Sequence, residues 1–198
     1  SAFFPVLKQS NARILRVSLW WYAPGPIAVA PRRPSAATDP ADPAYNWEIY
    51  DDVVLRAAKN GTQLLFTIVG TPPWANKGKG WNVAPTNRAD LEAFATAAAT
   101  RYGGSFEDEN GVRLGRVSLW TAWNEPNSPV FLRPQFTRDP REPSGWAIQS
   151  ARDYARICNA VVKGVKRAQS SAKVACGVTA PRGNNNPSSS RPSVSPVA

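Results

Sequence analysis

Trp123-Asn124-Glu125-Pro126-Asn127 is the run whose residue types and order point most directly to chemistry. The residues before it, 116–122, contain Val, Leu, Trp and Thr and no Gly or Pro, which predicts a strand. Pro126 disfavours a helical Glu125 and cannot continue a central ladder, so Glu125 is expected in an extended conformation at the carboxyl end of that strand. Beside Trp120 and Trp123, desolvation disfavours the charged form of a carboxylate. Such a group can hold a proton near neutrality and act as a general acid/base. The plainer alternative is a strand-end Glu that pairs with an Arg or faces solvent.

Arg16 lies in another apolar run, residues 13–20. A guanidinium is always charged and planar, which suits it to hold a carboxylate in its ionised form. Arg13 competes for that role, and a structural ion pair is the alternative for either. Indoles follow the apolar runs: Trp20 and Trp21, then Trp74 and Trp81, with Trp123 and Trp146 flanking the motif. An indole face can stack on a sugar ring while its N–H donates a hydrogen bond; the competing role is that of a core or loop anchor. Trp74, in Thr-Pro-Pro-Trp-Ala, is the strongest platform candidate. Cys158 and Cys176 are expected to pack as buried thiols, with a helix-to-strand disulfide as the alternative if their Cα atoms approach within about 7 Å. Asn60-Gly61-Thr62 matches a glycosylation sequon, but its position favours a helix-ending turn. Glu107, Asp108 and Glu109 read as a solvated loop.

The elements that must position these groups alternate. Residues 2–9 read as the end of a helix and 13–20 as a strand. A Pro-rich loop covers 21–45, of a length that is usually functional or mobile. Helices are expected at 47–59, capped by Asn46, at 88–102, capped by Asn87, and at 151–168, opened by Ser150 and Asp153. Strands are expected at 63–70 and 173–179. The near-continuous apolar run at 63–70 suits a strand buried on both faces. The motif strand is followed by a loop at 127–149, and the last residues, 195–198, read as the start of a further helix. Strand and helix alternation means parallel strands joined by helical crossovers. The segments after strands are mostly long and rich in Trp, Pro and Asn, which is where barrel enzymes carry their sites. A doubly wound sheet shares that polarity, but no Gly-rich phosphate loop follows a strand, so a (β/α)8 barrel is preferred.

At 198 residues and 42% apolar composition, the chain can bury one substantial core. No run is long and apolar enough for a membrane span, and no signal-peptide pattern opens the chain. The net charge of +10 is carried by scattered Lys and Arg. With no recognised basic motif, a solvated surface is preferred over nucleic-acid binding. The chain contains no His, which excludes Ser-His and Cys-His catalysis within it, and two widely spaced Cys do not make a zinc site.

The Trp-Asn-Glu-Pro-Asn run resembles the acid/base motif of clan A glycoside hydrolases, the retaining (β/α)8-barrel enzymes, and within them the cellulase-like family 5 and xylosidase-like family 39 groups. The resemblance implies that the Asn-Glu pair ends the fourth barrel strand, with Glu125 the general acid/base and Asn124 the partner of the sugar 2-hydroxyl. It implies that Arg16, on the second strand, hydrogen-bonds the nucleophile. That nucleophile would be a Glu on a seventh strand. The four strands of this chain align as the second to fifth, so the chain is expected to be an incomplete barrel, one partial catalytic domain over residues 1–198. A β-linked polysaccharide or oligosaccharide is the implied substrate, no cofactor or metal is implied, and the missing barrel half is the expected partner. A secreted or extracellular location is expected. The alternatives are a non-catalytic carbohydrate-binding remnant and, with less support, a basic nucleic-acid-associated protein.

Overall fold

The computed structural model describes residues 3–196. Helix α1 (Phe3–Gln9) leads into strand β1 (Ile14–Trp20), then α2 (Glu48–Lys59), β2 (Gln63–Val69), α3 (Arg88–Arg101), β3 (Leu119–Ala122), the short strands β4 (Phe136–Arg138) and β5 (Trp146–Ile148), α4 (Gln149–Ala168) and β6 (Lys173–Ala175). Strands β1-β2-β3-β6 form one sheet in that order. Every neighbouring pair is parallel, with Leu65 opposite Arg16 and Leu119, and Leu119 opposite Lys173.

Because side chains alternate along a strand, this register sorts them into two faces. Leu19, Leu64, Phe66, Ile68, Trp120 and Ala122 lie on the face that carries the core, all essentially buried. Against them pack Tyr50 and Val54 of α2, Phe94 and Ala98 of α3, and Ile157 and Val161 of α4. The opposite face carries Ile14, Arg16, Ser18, Leu65, Thr67, Leu119, Thr121 and Lys173. There β2 is nearly as buried as its apolar sequence predicts, but β1 is not: Ile14 is 51% exposed and Arg16 and Ser18 are exposed. Four strands do not curl far enough to cover their own inner face, and β1 and β6 are open edges.

The helix ends are set locally. Asn87 caps α3 through Ala89 N–H (3.1 Å). Trp47, not Asn46, is the capping position of α2, although the Asn46 carboxamide still accepts from Glu48 N–H (3.3 Å). Helix α4 starts at Gln149, earlier than its sequence predicts and without a side-chain cap. The reason is the β4–β5 hairpin, which runs straight into the helix: Ser150 is buried, its hydroxyl turned towards Gln135 Oε1 (3.4 Å). Residues 127–149 carry no strand signal in the sequence because each hairpin strand is only three residues long. Two strands are also shorter than expected. Before β3, Val117 N–H bonds Tyr102 O at the end of α3 instead of a strand (2.9 Å). After β6, Gly177 adopts φ +82°, which ends the ladder.

Helix α4 crosses α3 closely. An added Cβ on Gly164 would run into the carbonyl of Glu92 and the Ala95 side chain. Between α2 and α3, Asp51 accepts from Arg101 Nη2 (2.6 Å) and Nε (2.9 Å) and from the Tyr102 hydroxyl (2.9 Å). The Pro-rich loop 21–45 is ordered by its own polar groups: the Asp42 carboxylate accepts from the N–H groups of Ser35, Ala36 and Ala44. In the acidic loop, Asp108 closes a turn through Asn110 and Val112 N–H. Ser195 and Pro196 are not helical, and the remainder of the expected terminal helix lies outside the described residues.

Candidate functional site

Beyond β3 the backbone turns over twice. Trp123 has φ +67° and Glu125 φ +38°, left-handed values on either side of Asn124. This corrects the extended Glu125 that Pro126 predicts. The cause is long-range: Trp123 N–H is held by Ile68 O (2.8 Å) and Glu125 N–H by Val178 O (2.9 Å), so the neighbouring segments on both sides fix the turn. Pro126 then forms part of a turn closed by Ser128 N–H to Glu125 O (2.9 Å). Left-handed conformations on bulky residues are costly and persist only where their surroundings over-determine them.

Asn124 is brought to Arg16. Its Oδ1 accepts from Arg16 Nη2 (2.6 Å), while Arg16 Nε donates to Thr67 Oγ1 (2.8 Å) and Thr121 Oγ1 donates to the same hydroxyl (2.7 Å). A polar chain thus crosses β1, β2 and β3 on the open face of the sheet. Of the two candidate arginines, Arg16 is the one beside the motif. Glu125 and Asn124 are half-buried. Among the described residues, no side chain binds the Glu125 carboxylate.

The indoles divide. Trp20 meets Trp81 edge-to-face at 5.2 Å, and Trp81 meets Phe131 in the same manner at 6.0 Å, building an aromatic wall across the carboxyl ends of β1, β2 and β3. Trp20, Trp81 and Phe131 are all half-buried. Trp123 is fully buried and donates to Phe131 O (2.8 Å), so it anchors the loop and offers no free face. Trp74 donates to Ala30 O (3.0 Å), and the Arg33 guanidinium lies over its ring at 4.8 Å. Trp146 sits in the hairpin with Arg138 over its ring at 4.0 Å.

Sequence reasoning missed the residues that hold the motif from behind. Asn127, buried, donates to the carbonyls of Ala180 (3.1 Å) and Val194 (2.9 Å) and accepts from Ala180 N–H (2.7 Å). Gln135, also buried, donates to Pro126 O (2.9 Å). A second Asn in the motif was a visible signal; Gln135 had none. Cys158 and Cys176 form a disulfide with Cα atoms 6.0 Å apart, which corrects the expectation of packed thiols. Helix α4 runs back alongside β6, and that antiparallel return brings the two residues opposite each other. No group of three or more His, Cys, Asp or Glu among the described residues is arranged to hold a metal ion. No described helix is long and apolar enough to cross a membrane.

Parallel strands joined by helices, with long loops at their carboxyl ends, make this a partial (β/α)8 barrel, and its likenesses among solved structures are barrels of glycoside hydrolases. It is similar to a glucosidase from Croceicoccus marinus (TM-score 0.60, 19% identity, covering 86% of this chain and 32% of that one). A β-glucosidase from Exiguobacterium marinum gives TM-score 0.51 at 18% identity, with 88% and 35% covered. A family 1 glycoside hydrolase from Thermotoga maritima gives TM-score 0.50 at 15% identity, with 87% and 35% covered. At these identities the likeness is one of fold. The chain spans about a third of the length of these proteins. No family model matches the sequence, and no curated protein matches it.

Proposed function

We propose that this chain is part of a retaining glycoside hydrolase of clan A, of the family 5 or family 39 kind, acting on a β-linked polysaccharide or oligosaccharide outside the cell. Glu125 is the general acid/base that protonates the leaving oxygen, Asn124 binds the sugar 2-hydroxyl, and Arg16 orients Asn124 and faces the position of the nucleophile. Trp20 and Trp81 border the sugar site. The observation that carries this reading is the Arg16–Asn124 hydrogen bond beside Glu125, on the open face at the carboxyl ends of parallel strands.

The retaining route needs a second carboxylate about 5–5.5 Å from the first. No other Asp or Glu of this chain stands at the carboxyl end of one of its four parallel strands. The nucleophile would come from the remaining barrel strands, numbered sixth to eighth if these are the second to fifth, and that missing half is the partner proposed for the open face. The 198-residue chain alone is therefore expected to bind oligosaccharide without turning it over, which is also how a non-catalytic remnant would behave.

The test uses aryl β-glycosides and soluble β-glucans with the purified chain, alongside NMR titration of its indole N–H signals with β-linked oligosaccharides. Shifts confined to Trp20 and Trp81 with no turnover support the reading. Strong turnover lost in Glu125→Gln would reveal a nucleophile within this chain. No oligosaccharide-dependent shift, together with salt-dependent binding to DNA or RNA, would overturn the glycosidase reading in favour of a basic nucleic-acid-associated protein.

A further inference from the structure

We infer that Tyr154 is a positioning residue for the Asn124-Glu125 turn, acting with the Cys158–Cys176 disulfide as a two-point clamp; this rests on the proposed role of Glu125. Tyr154 and Cys158 are four residues apart on α4 and so share one helix face. They grip neighbouring residues of the segment after β6. Cys158 is bonded to Cys176, and the Tyr154 hydroxyl accepts from Gly177 N–H at 2.7 Å. The same hydroxyl donates to Ala122 O at 3.0 Å, the last residue of β3.

One oxygen therefore ties the end of β3, from which the turn departs, to the segment after β6, which holds the turn on one side. The next residue, Val178, supplies the carbonyl that takes Glu125 N–H (2.9 Å), and Ala180 is fixed by the Asn127 side chain. The route from the clamp to Glu125 is short: a hydrogen bond from the helix face to Gly177, one step along the chain to Val178, and a hydrogen bond from Glu125 N–H to Val178 O. A left-handed Glu125 needs such support, because nothing in its own residue type favours that conformation. Gly177 contributes in a defined way. Its φ of +82° is open to glycine, and it lets the chain leave the ladder just where the hydroxyl catches it.

The clamp assigns the disulfide a local duty besides cross-linking. Cys176 enters Gly177 already anchored, so the Tyr154 hydrogen bond forms on a segment with little freedom left to lose. Reduction would release one anchor and leave the hydroxyl to hold a looser strand.

The test follows hydrogen exchange of individual amides in the intact chain by NMR, comparing Glu125 and Gly177 with Phe66 and Ile68 in the centre of the sheet. Tyr154→Phe keeps the ring and removes only the hydroxyl. It is expected to speed exchange at Glu125 and Gly177 about five- to tenfold, the scale of one lost hydrogen bond. It should also shift the side-chain amide signals of Asn124 and leave Phe66 and Ile68 unchanged. Unchanged exchange at Glu125, or equal acceleration at Phe66 and Ile68, overturns the proposal, since a general loss of stability would speed all of them together. Should Tyr154→Phe fail to fold, mild reduction of the unaltered chain gives the same readout. Faster exchange at Glu125 with free Cys176 supports the clamp, and no change there overturns it. These amide signals do not depend on turnover, so the clamp and the acid/base role of Glu125 can fail separately.

Discussion

Gly164→Ala sets two effects of opposite sign against each other. Inside a helix, Ala is favoured over Gly by about 1 kcal/mol, so a helix considered alone would be stabilised. Gly164, however, is buried where α4 crosses α3. Its new Cβ would overlap the Glu92 carbonyl and the Ala95 side chain, and would lie 3.0 Å from Thr96 N. Two of those three atoms belong to backbone, which cannot rotate away. Thr96 Oγ1 also donates to Gly164 O at 3.2 Å, so separating the helices strains a hydrogen bond. Overpacking of this kind costs about 1–3 kcal/mol, and more against fixed backbone. The steric effect is therefore expected to win, leaving a net loss of about 1–2 kcal/mol. For a chain of this length that lowers the melting temperature by roughly 2–8 °C. Urea and thermal unfolding of Gly164→Ala beside Lys163→Ala, an exposed neighbour on the same helix, measure the difference. The control should stay within about 0.5 kcal/mol of the parent. A Gly164→Ala chain as stable as the parent, or more stable, would refute the close helix crossing on which the position of α4 depends.

Arg101→Ala should cost about 2–3 kcal/mol, because it removes the buried guanidinium and leaves the half-buried Asp51 carboxylate with only the Tyr102 hydroxyl. In Asp51→Ala/Arg101→Ala the loss should be smaller than the sum of the single losses in chemical denaturation. Backbone N–H groups hold Asp42 well below its ordinary 3.8, at about 2. Its contribution to loop 21–45 is therefore fully present above about 4 and is lost as the pH falls towards 2. Amide exchange at Ser35, Ala36 and Ala44 should accelerate over that window ahead of the sheet, and a loop indifferent to it would count against this role. Trp81→Ala is expected to weaken oligosaccharide binding about tenfold, in keeping with the loss of one stacking face, while Trp146→Ala leaves it nearly unchanged. Calorimetric titration with the same ligand distinguishes the two.

The sheet was legible because its signals are local. The apolar run of β2, the capped start of α3 and the apolar stripe of α4 each fall within one segment, and alternation of strands with helices is enough for parallel pairing. What the sequence concealed depends on partners far along the chain. Residues 116–118 look like strand, yet Val117 is claimed by Tyr102 at the end of α3. Ser150 looks like a cap, yet Gln135 takes its hydroxyl. The disulfide follows from the same kind of distance, since Cys158 and Cys176 meet only once α4 has folded back on β6.

The site shows the same division. The motif and its family resemblance marked Asn124, Glu125 and Arg16, and the structure joins Arg16 to Asn124 by a hydrogen bond, with Glu125 the next residue in the chain. The conformation of Glu125 was not legible, and the reason is physical. The residue before a proline has a local preference worth about a kilocalorie or so, comparable with one or two net hydrogen bonds. Here Ile68 and Val178, from segments on opposite sides of β3, each capture a backbone N–H of the turn, and Ser128 closes it. Three bonds outweigh one local preference, and two of the three partners, Ile68 and Val178, cannot be inferred before the strand order is known. The indoles teach the converse lesson. All eight Trp residues share one chemistry, but burial decides what each can do: Trp123, closest to Glu125 in sequence, is sealed against the Phe131 carbonyl, while Trp81, far from it in sequence, keeps part of its surface open beside Trp20. A carboxylate acts through one end atom, so its neighbours in the chain are enough to mark it, whereas stacking needs a whole uncovered ring face, which only the packing around each indole reveals.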